Sequence, residues 1–243
     1  MPHIQHSDKN YIHHQTSAFM NYAREVVFGM EDGMVSTLGA LIGIAVSSNS
    51  RFMTILSGLV IIAVESVSMG IGSYLSSSSS GAINKRKLHE EQQEIKNYPD
   101  LEQKELEIFF QEDGWPEKLS TEMAEVAVKD HQLMLREMAY RELRVNPGEH
   151  HDFVFNGLYM FFAYIIGGFI PLAAYFLLPI PDAIYVSVGV TLLGLFLLGA
   201  STTIFTKQPW IKTGFHMLLL GGTAIVVGYL VGRFASSVGL PNF

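Results

Sequence analysis

FVFNGLYMFFAYIIGGFIPLAAYFLL, residues 153–178, contains no Asp, Glu, Lys or Arg. A helix crosses the hydrocarbon core of a bilayer with roughly 20 predominantly apolar residues, so this stretch is long enough to span once. A water-facing helix of that length would need a polar side, and this one has none. Residues 184–205 and 215–230 are equally free of those four residue types. Residues 26–46 and 52–75 are also long and apolar, but they enclose Glu31, Asp32 and Glu65. The sequence therefore predicts an all-α membrane protein with five transmembrane helices. The third and fourth are joined by the tight turn Pro179-Ile180-Pro181-Asp182, and the fourth and fifth by residues 206–212.

Between the second and third spans lies a stretch of a different kind. Residues 81–152 hold 17 acids against 10 Lys and Arg, while the remaining 6 acids and 6 bases balance. The net charge of −7 thus belongs to this insert. An acidic insert argues against nucleic acid and against an anionic membrane surface, and it suits a cation. With no cysteine in the chain, disulfides, thiolate zinc sites and iron–sulfur clusters are excluded. Any metal must be held by carboxylate, His, Met or backbone. No prosthetic group is indicated.

The predicted organisation is a polar tail at 1–23, spans one and two at 24–80, a helical insert at 81–152 and spans three to five at 153–243. The tail has no secretory leader pattern, so the first span is expected to direct its own insertion. Lys85, Arg86 and Lys87 follow the second span, and Lys207 and Lys212 lie between the fourth and fifth. By the positive-inside rule the tail, the insert and the last loop are cytosolic. The serine run 76–80 with Gly81 reads as a hinge out of the membrane. The insert reads as three helices: 84–97; one capped by Asp100 with Gln103 three residues on, running to Glu112; and one over 120–145 stopped by Asn146-Pro147-Gly148.

Two constellations point to chemistry. Glu31, Asp32 and Glu65 lie within predicted spans, and Met69 follows Glu65 by one turn on the same helical face. Carboxylates in hydrocarbon are costly and usually face a cavity with a task. A carboxylate beside a thioether suits a divalent ion such as Fe²⁺. The alternative is a structural acid bonded to a neighbouring helix. In the insert, Glu91 and Glu94 are spaced i, i+3, and Glu102 and Glu105 repeat the spacing on the next helix. The turn at Pro99-Asp100 would fold the two helices together, bringing four carboxylates to one place as in di-metal helical bundles. Met138 and Glu142, one turn apart, would complete the set. The same spacing is ordinary on a solvated helix, so spacing alone does not separate the readings.

Other signals are plainer. His3, His6, His13 and His14 read as part of a polar tail, His150 and His151 as a cap on the third span, and His131 as a surface residue. His216 opens the last span and is a candidate pore residue. Gly39/Gly43, Gly228/Gly232 and Ser68/Gly72 are small-residue pairs that favour close helix packing and oligomerisation.

The segments VVFGMEDGMVSTLGALIGI (26–44), SMGIGSYLS (68–76), EQQEI (91–95) with PDLEQKE (99–105), and GGFIPL (167–172) resemble, in order, the first span, second span, metal-binding insert and third span of the vacuolar iron transporter family. The resemblance implies a five-span homodimer that exports Fe²⁺, and related ions such as Mn²⁺, from the cytosol in exchange for protons. The path would lie between subunits. It places Asp32 and Met69 on the transport path, and Glu91, Glu94, Glu102, Glu105, Met138 and Glu142 among the insert's metal ligands. The family's second-span Glu aligns with Ile61, whereas this chain has Glu65 one turn later, a displacement of about 5 Å along the helix. A family Met aligns with Ala139. The host membrane is expected to be a prokaryotic plasma membrane, or a vacuolar one if the source is eukaryotic.

Two other classes remain at this point: a membrane-anchored di-iron oxidase, and a metal-sensing scaffold. An oxidase would be expected to use Glu-x-x-His pairs, which the insert glutamates lack, and neither class explains Asp32, Glu65 and Met69 in hydrocarbon.

Overall fold

The computed structural model describes residues 22–145 and 152–237. Among them are eight helices and no strand: α1 (Ala23–Ser48), α2 (Arg51–Asn97), α3 (Pro99–Glu112), α4 (Glu117–Ala127), α5 (His131–Arg141), α6 (Phe153–Leu177), α7 (Asp182–Thr206) and α8 (Trp210–Ser237). Five of them, α1, α2, α6, α7 and α8, are long and apolar enough to cross a membrane. The described chain forms two compact units, residues 22–73 with 154–237, and residues 74–145 with 152–153; α2 contributes to both.

In the first unit α1 is the central element, and small residues bring its backbone against its neighbours. A Cβ at Gly33 would overlap the Tyr164 carbonyl oxygen of α6, and one at Gly29 would press on Ala163 and the Met160 carbonyl. From the other side, a Cβ at Gly167 would meet the Met30 carbonyl. Lower on α1, Gly39 and Gly43 face Gly228 and Gly232 of α8, again backbone to backbone. Without a hydrophobic driving force between helices in lipid, such close approach is a main source of association. The second helix turns Thr54, Gly58, Ile62, Ser66 and Gly70, one residue per turn, toward the interior. There Gly58 meets Leu41 and Leu172, and Gly70 meets Gly157 and Phe161. At its start, the Arg51 guanidinium donates to the Tyr175 carbonyl at 2.7 Å and to the Phe176 carbonyl, satisfying orphan groups at the end of α6. Pro171 sits inside α6, and the Ser187 hydroxyl of α7 donates to its carbonyl at 2.8 Å.

The outward faces are apolar. Leu177, Tyr185, Leu219 and Phe234 are each at least 70 % exposed, as side chains facing lipid would be and side chains facing water rarely are.

The second unit corrects three sequence expectations. Residues 76–81 are not a hinge: α2 runs unbroken from Arg51 to Asn97. Serine is a tolerable helix former, and each internal residue of a continuing helix keeps its backbone hydrogen bond. Asp100 is not the cap of α3. Tyr98 holds that place without a side-chain bond, and Pro99 occupies the first turn, where its missing N–H costs nothing. The expected helix at 120–145 is two helices. Asp130 accepts from the backbone N–H groups of Gln132 and Leu133 at 2.9 and 3.2 Å and starts α5 afresh, an aspartate capping bond that competes with helix continuation. The stop expected at 146–148 lies outside the described residues.

The core of this unit is Ile95, Leu106, Phe110, Ala124, Ala127, Met134 and Met138. Gly114, at φ +94°, ends α3, and the Trp115 N–H returns to the Phe110 carbonyl at 3.1 Å. Arg141 lies over the Phe110 ring at 4.4 Å and pairs with Asp113 at 3.0 Å.

Because a methyl group at position 33 has only backbone to displace, Gly33→Ala is expected to destabilise the first unit by about 1–3 kcal/mol, the usual range for overpacking. Gly72→Ala, in open space, is expected to be neutral. Thermal unfolding of the detergent-solubilised chain checks the pair; equal melting temperatures would refute the backbone contact.

Candidate functional site

Inside the first unit, one group of ionisable side chains is drawn from α1, α2 and α8. The Asp32 and Glu65 carboxylates, from α1 and α2, lie within electrostatic reach of each other. Glu31 lies within reach of Asp32 and of His216 on α8. Asp32 and Glu31 are half-buried; Glu65 is exposed on the outer side of α2; Met69, one turn further, is half-buried. The same stripe of α2 contains Ile61, so an acid at 61 or 65 would emerge on the same side of the helix. The structure thus gathers Glu31, Asp32, Glu65 and His216, with Met69 close along α2.

One member of this group has no signal in the sequence. Tyr164 of α6 is fully buried, and its hydroxyl lies 2.7 Å from the Ser36 hydroxyl. It too is within electrostatic reach of Asp32 and Glu65. A tyrosine in an apolar, aromatic-rich span is indistinguishable by pattern from a lipid-facing one. Glu25, in the first turn of α1, is also buried, with one oxygen paired to Arg24 at 2.9 Å and Oε2 unpartnered.

The second unit gathers a separate set of acids. Glu91 of α2 and Glu102 of α3 are buried, with Glu91 Oε1 and Glu102 Oε2 unpartnered. The Glu91 carboxyl is within hydrogen-bonding reach of Glu142 and Glu102, and it also feels Glu94. Glu105 feels Glu142 and Glu94. The fold-back at Pro99 brings Glu91, Glu94, Glu102 and Glu105 into one cluster, and the end of α5 adds Glu142. Met138 is fully buried in the hydrophobic core beside Met134. Among the described residues, no three carboxyl or imidazole groups are gathered closely enough around one point to hold a metal ion. His131 is exposed on α5. The tail histidines, His150 and His151 lie outside the described residues.

The electrostatics of the cluster follow from its shape. Burial, then the hydrogen bond and charge of Glu142, then Glu102 and Glu94, push the Glu91 carboxyl up to about 9. Burial, followed by neighbouring carboxylates, also raises Glu102 and Glu105. Like charges in a partly desolvated site hold a proton or a cation, because either relieves the repulsion. A metal must displace the proton, since carboxylate ligands bind deprotonated.

The chain is similar to known proteins over most of its length. Residues 23–233 match the model of the VIT family. A protein named vacuolar iron transporter 1 from Tulipa gesneriana is 27% identical over 216 residues, covering 88% of this chain and 87% of its own length. The vacuolar iron transporter 1 of Arabidopsis thaliana is 28% identical over 225 residues, with 91% and 90% covered. The vacuolar iron transporter of Toxoplasma gondii is 28% identical over 233 residues, with 92% and 77% covered.

A raised Glu91 gives the second unit a pH-dependent stability of defined sign. The folded chain keeps the proton up to about 9, whereas the unfolded chain releases it near the ordinary 4.5. Stability from this group is therefore full below about 4.5 and declines as pH rises toward about 9. Trp115 fluorescence in a Trp210→Phe background is expected to report that decline in the full chain, and Glu91→Gln to flatten it. An unchanged slope in the glutamine variant would remove Glu91 as its source.

Proposed function

The chain belongs to the VIT family, is a multi-pass membrane transporter rather than an enzyme, and, we propose, exports Fe²⁺ from the cytosol in exchange for protons, accepting related divalent ions such as Mn²⁺. The observation that carries this reading is the meeting of Asp32 and Glu65, from two different spans, within electrostatic reach of each other and beside Met69. Carboxylates at that depth are expensive unless they bind something. Two carboxylates with a thioether favour a dehydrating Fe²⁺ ion over a monovalent one. Their deprotonation on binding the metal, and reprotonation on releasing it, supplies the coupling to protons.

The relatives' names support iron as the cargo. The exposure of Glu65 on the outer side of α2 supports a homodimer in which a second copy covers that face, since lipid would be a poor neighbour for it. Residues 81–152 act in this reading as the cytosolic gathering station. Glu91, Glu94, Glu102, Glu105 and Glu142 close around an arriving ion when it displaces the proton on Glu91, with Met138 turning from the core as the soft ligand. Asp32, Glu65 and Met69, with Glu31 toward His216, form the path itself.

Fe²⁺ uptake into proteoliposomes under an imposed pH gradient tests the proposal. Asp32→Asn is expected to reduce flux to background while leaving folding and dimerisation intact; wild-type flux in that variant would refute the assignment. Glu65→Ala is expected to abolish the pH dependence of transport, and Ile61→Glu combined with Glu65→Ala to restore part of it, because both positions share one stripe of α2. Normal, pH-dependent transport by Glu65→Ala would make this carboxylate structural.

A further inference from the structure

Two hydroxyl groups link α6 to the Asp32 turn, and the direction of their hydrogen bonds can be worked out. The Ser36 hydroxyl donates to the Asp32 backbone carbonyl at 2.7 Å. A serine has one hydroxyl proton, and the Asp32 carbonyl can only accept. The 2.7 Å contact between Ser36 and Tyr164 must therefore run from Tyr164 to Ser36. The bonds form a series: Tyr164 O–H to Ser36 Oγ, and Ser36 O–H to Asp32 C=O. The oxygen of Tyr164 remains free to accept, and Thr37 Oγ1, buried and otherwise unpartnered, interacts with it. The tyrosine ring is fully buried, so water does not compete for these groups.

The backbone fixes the start of this series. Gly33 is pressed on the Tyr164 carbonyl and the Gly168 N–H, so α1 and α6 cannot slide where the hydroxyls meet. Serine bonded back to the carbonyl four residues earlier tends to bend or loosen a helix turn when left alone. Here a second, immobile donor holds that serine in place, and the turn so held presents Asp32 toward Glu65.

We propose that Tyr164 is a positioning residue of the intramembrane site: acting through Ser36, it sets the orientation of the Asp32 turn and hence the affinity of the Asp32–Glu65 pair for a divalent cation. This rests on the transport reading above and adds to it two residues that touch no ion.

The test uses the full chain in proteoliposomes with Fe²⁺ as the probe. Tyr164→Phe keeps the ring and removes one hydroxyl. It is expected to raise the half-saturating Fe²⁺ concentration roughly three- to tenfold, the range that the loss of one buried hydrogen bond allows. Maximal flux should stay within about twofold, and the melting temperature in detergent should not move. Ser36→Ala is expected to do the same, and Ser36→Thr, which keeps the hydroxyl, to resemble the unaltered protein. Because the bonds are in series, the double variant Tyr164→Phe with Ser36→Ala should be no worse than either single one. An unchanged half-saturation in Tyr164→Phe would overturn the proposal. So would single effects that multiply in the double variant, or a loss of flux that follows a fall in melting temperature. Unaltered vesicles that carry no divalent ion would refute the transport reading instead, which is a distinguishable result.

Discussion

The backbone of α1 lies directly against those of α6 and α8, and glycine makes both contacts possible. Gly29 and Gly33 face α6, Gly167 of α6 faces Met30, and Gly39 and Gly43 meet Gly228 and Gly232 of α8. Glu31 and Asp32 lie between Gly29 and Gly33 along the same stretch of α1. A wider separation would let the helices shift and admit lipid or water beside the acids; a Cβ at Gly33 would force that separation. The position of the acids is thus inherited from the closest-packed part of the fold. Burial makes their charge expensive, and rigidity makes it usable, since a carboxylate that cannot swing away must meet its charge balance in place.

The second unit handles charge differently. Its five clustered glutamates are drawn from α2, from α3 folded back on it and from the end of α5, around a small core in which Phe110 and Met134 are fully or almost fully buried. The resulting repulsion is met by protons, with Glu91 pushed up to about 9. The same feature that makes the cluster a poor ready-made cage makes it responsive. A divalent ion competes with protons for the same oxygens, and the balance shifts with pH in a direction set by the sign of the pKa displacement. In the proposed reading both sites use one chemistry, carboxylate exchanging proton for metal.

Much of this was legible in the residues themselves. Five spans follow from apolar length, and their predicted limits differ from those found mainly at the ends, where α8 begins at Trp210 rather than near 215 and α2 continues to Asn97. The serine run at 76–80 reads as a hinge because serine and glycine mark loops in water, whereas a helix already propagating from a long apolar segment continues through them. Asp130 was passed over because a helix can contain an aspartate; only its bonds to Gln132 and Leu133 show that it begins a new one. Tyr164 was illegible, because burial and a hydroxyl partner on another helix leave no mark in local pattern.

The sequence by itself determined the all-helical membrane class and the membership signalled by residues 26–44, 68–76, 91–105 and 167–172. These are properties of composition and of spacing along one helix, and hydrocarbon enforces them residue by residue. The tertiary structure alone decided which acids meet. Asp32 faces Glu65 and Glu31 faces His216 because α1, α2 and α8 pack in one particular way. Glu91 meets Glu142 because the end of α5 returns to α2. Charge interactions fall off with distance and depend on burial, so they are fixed only when helices far apart in sequence have chosen their neighbours.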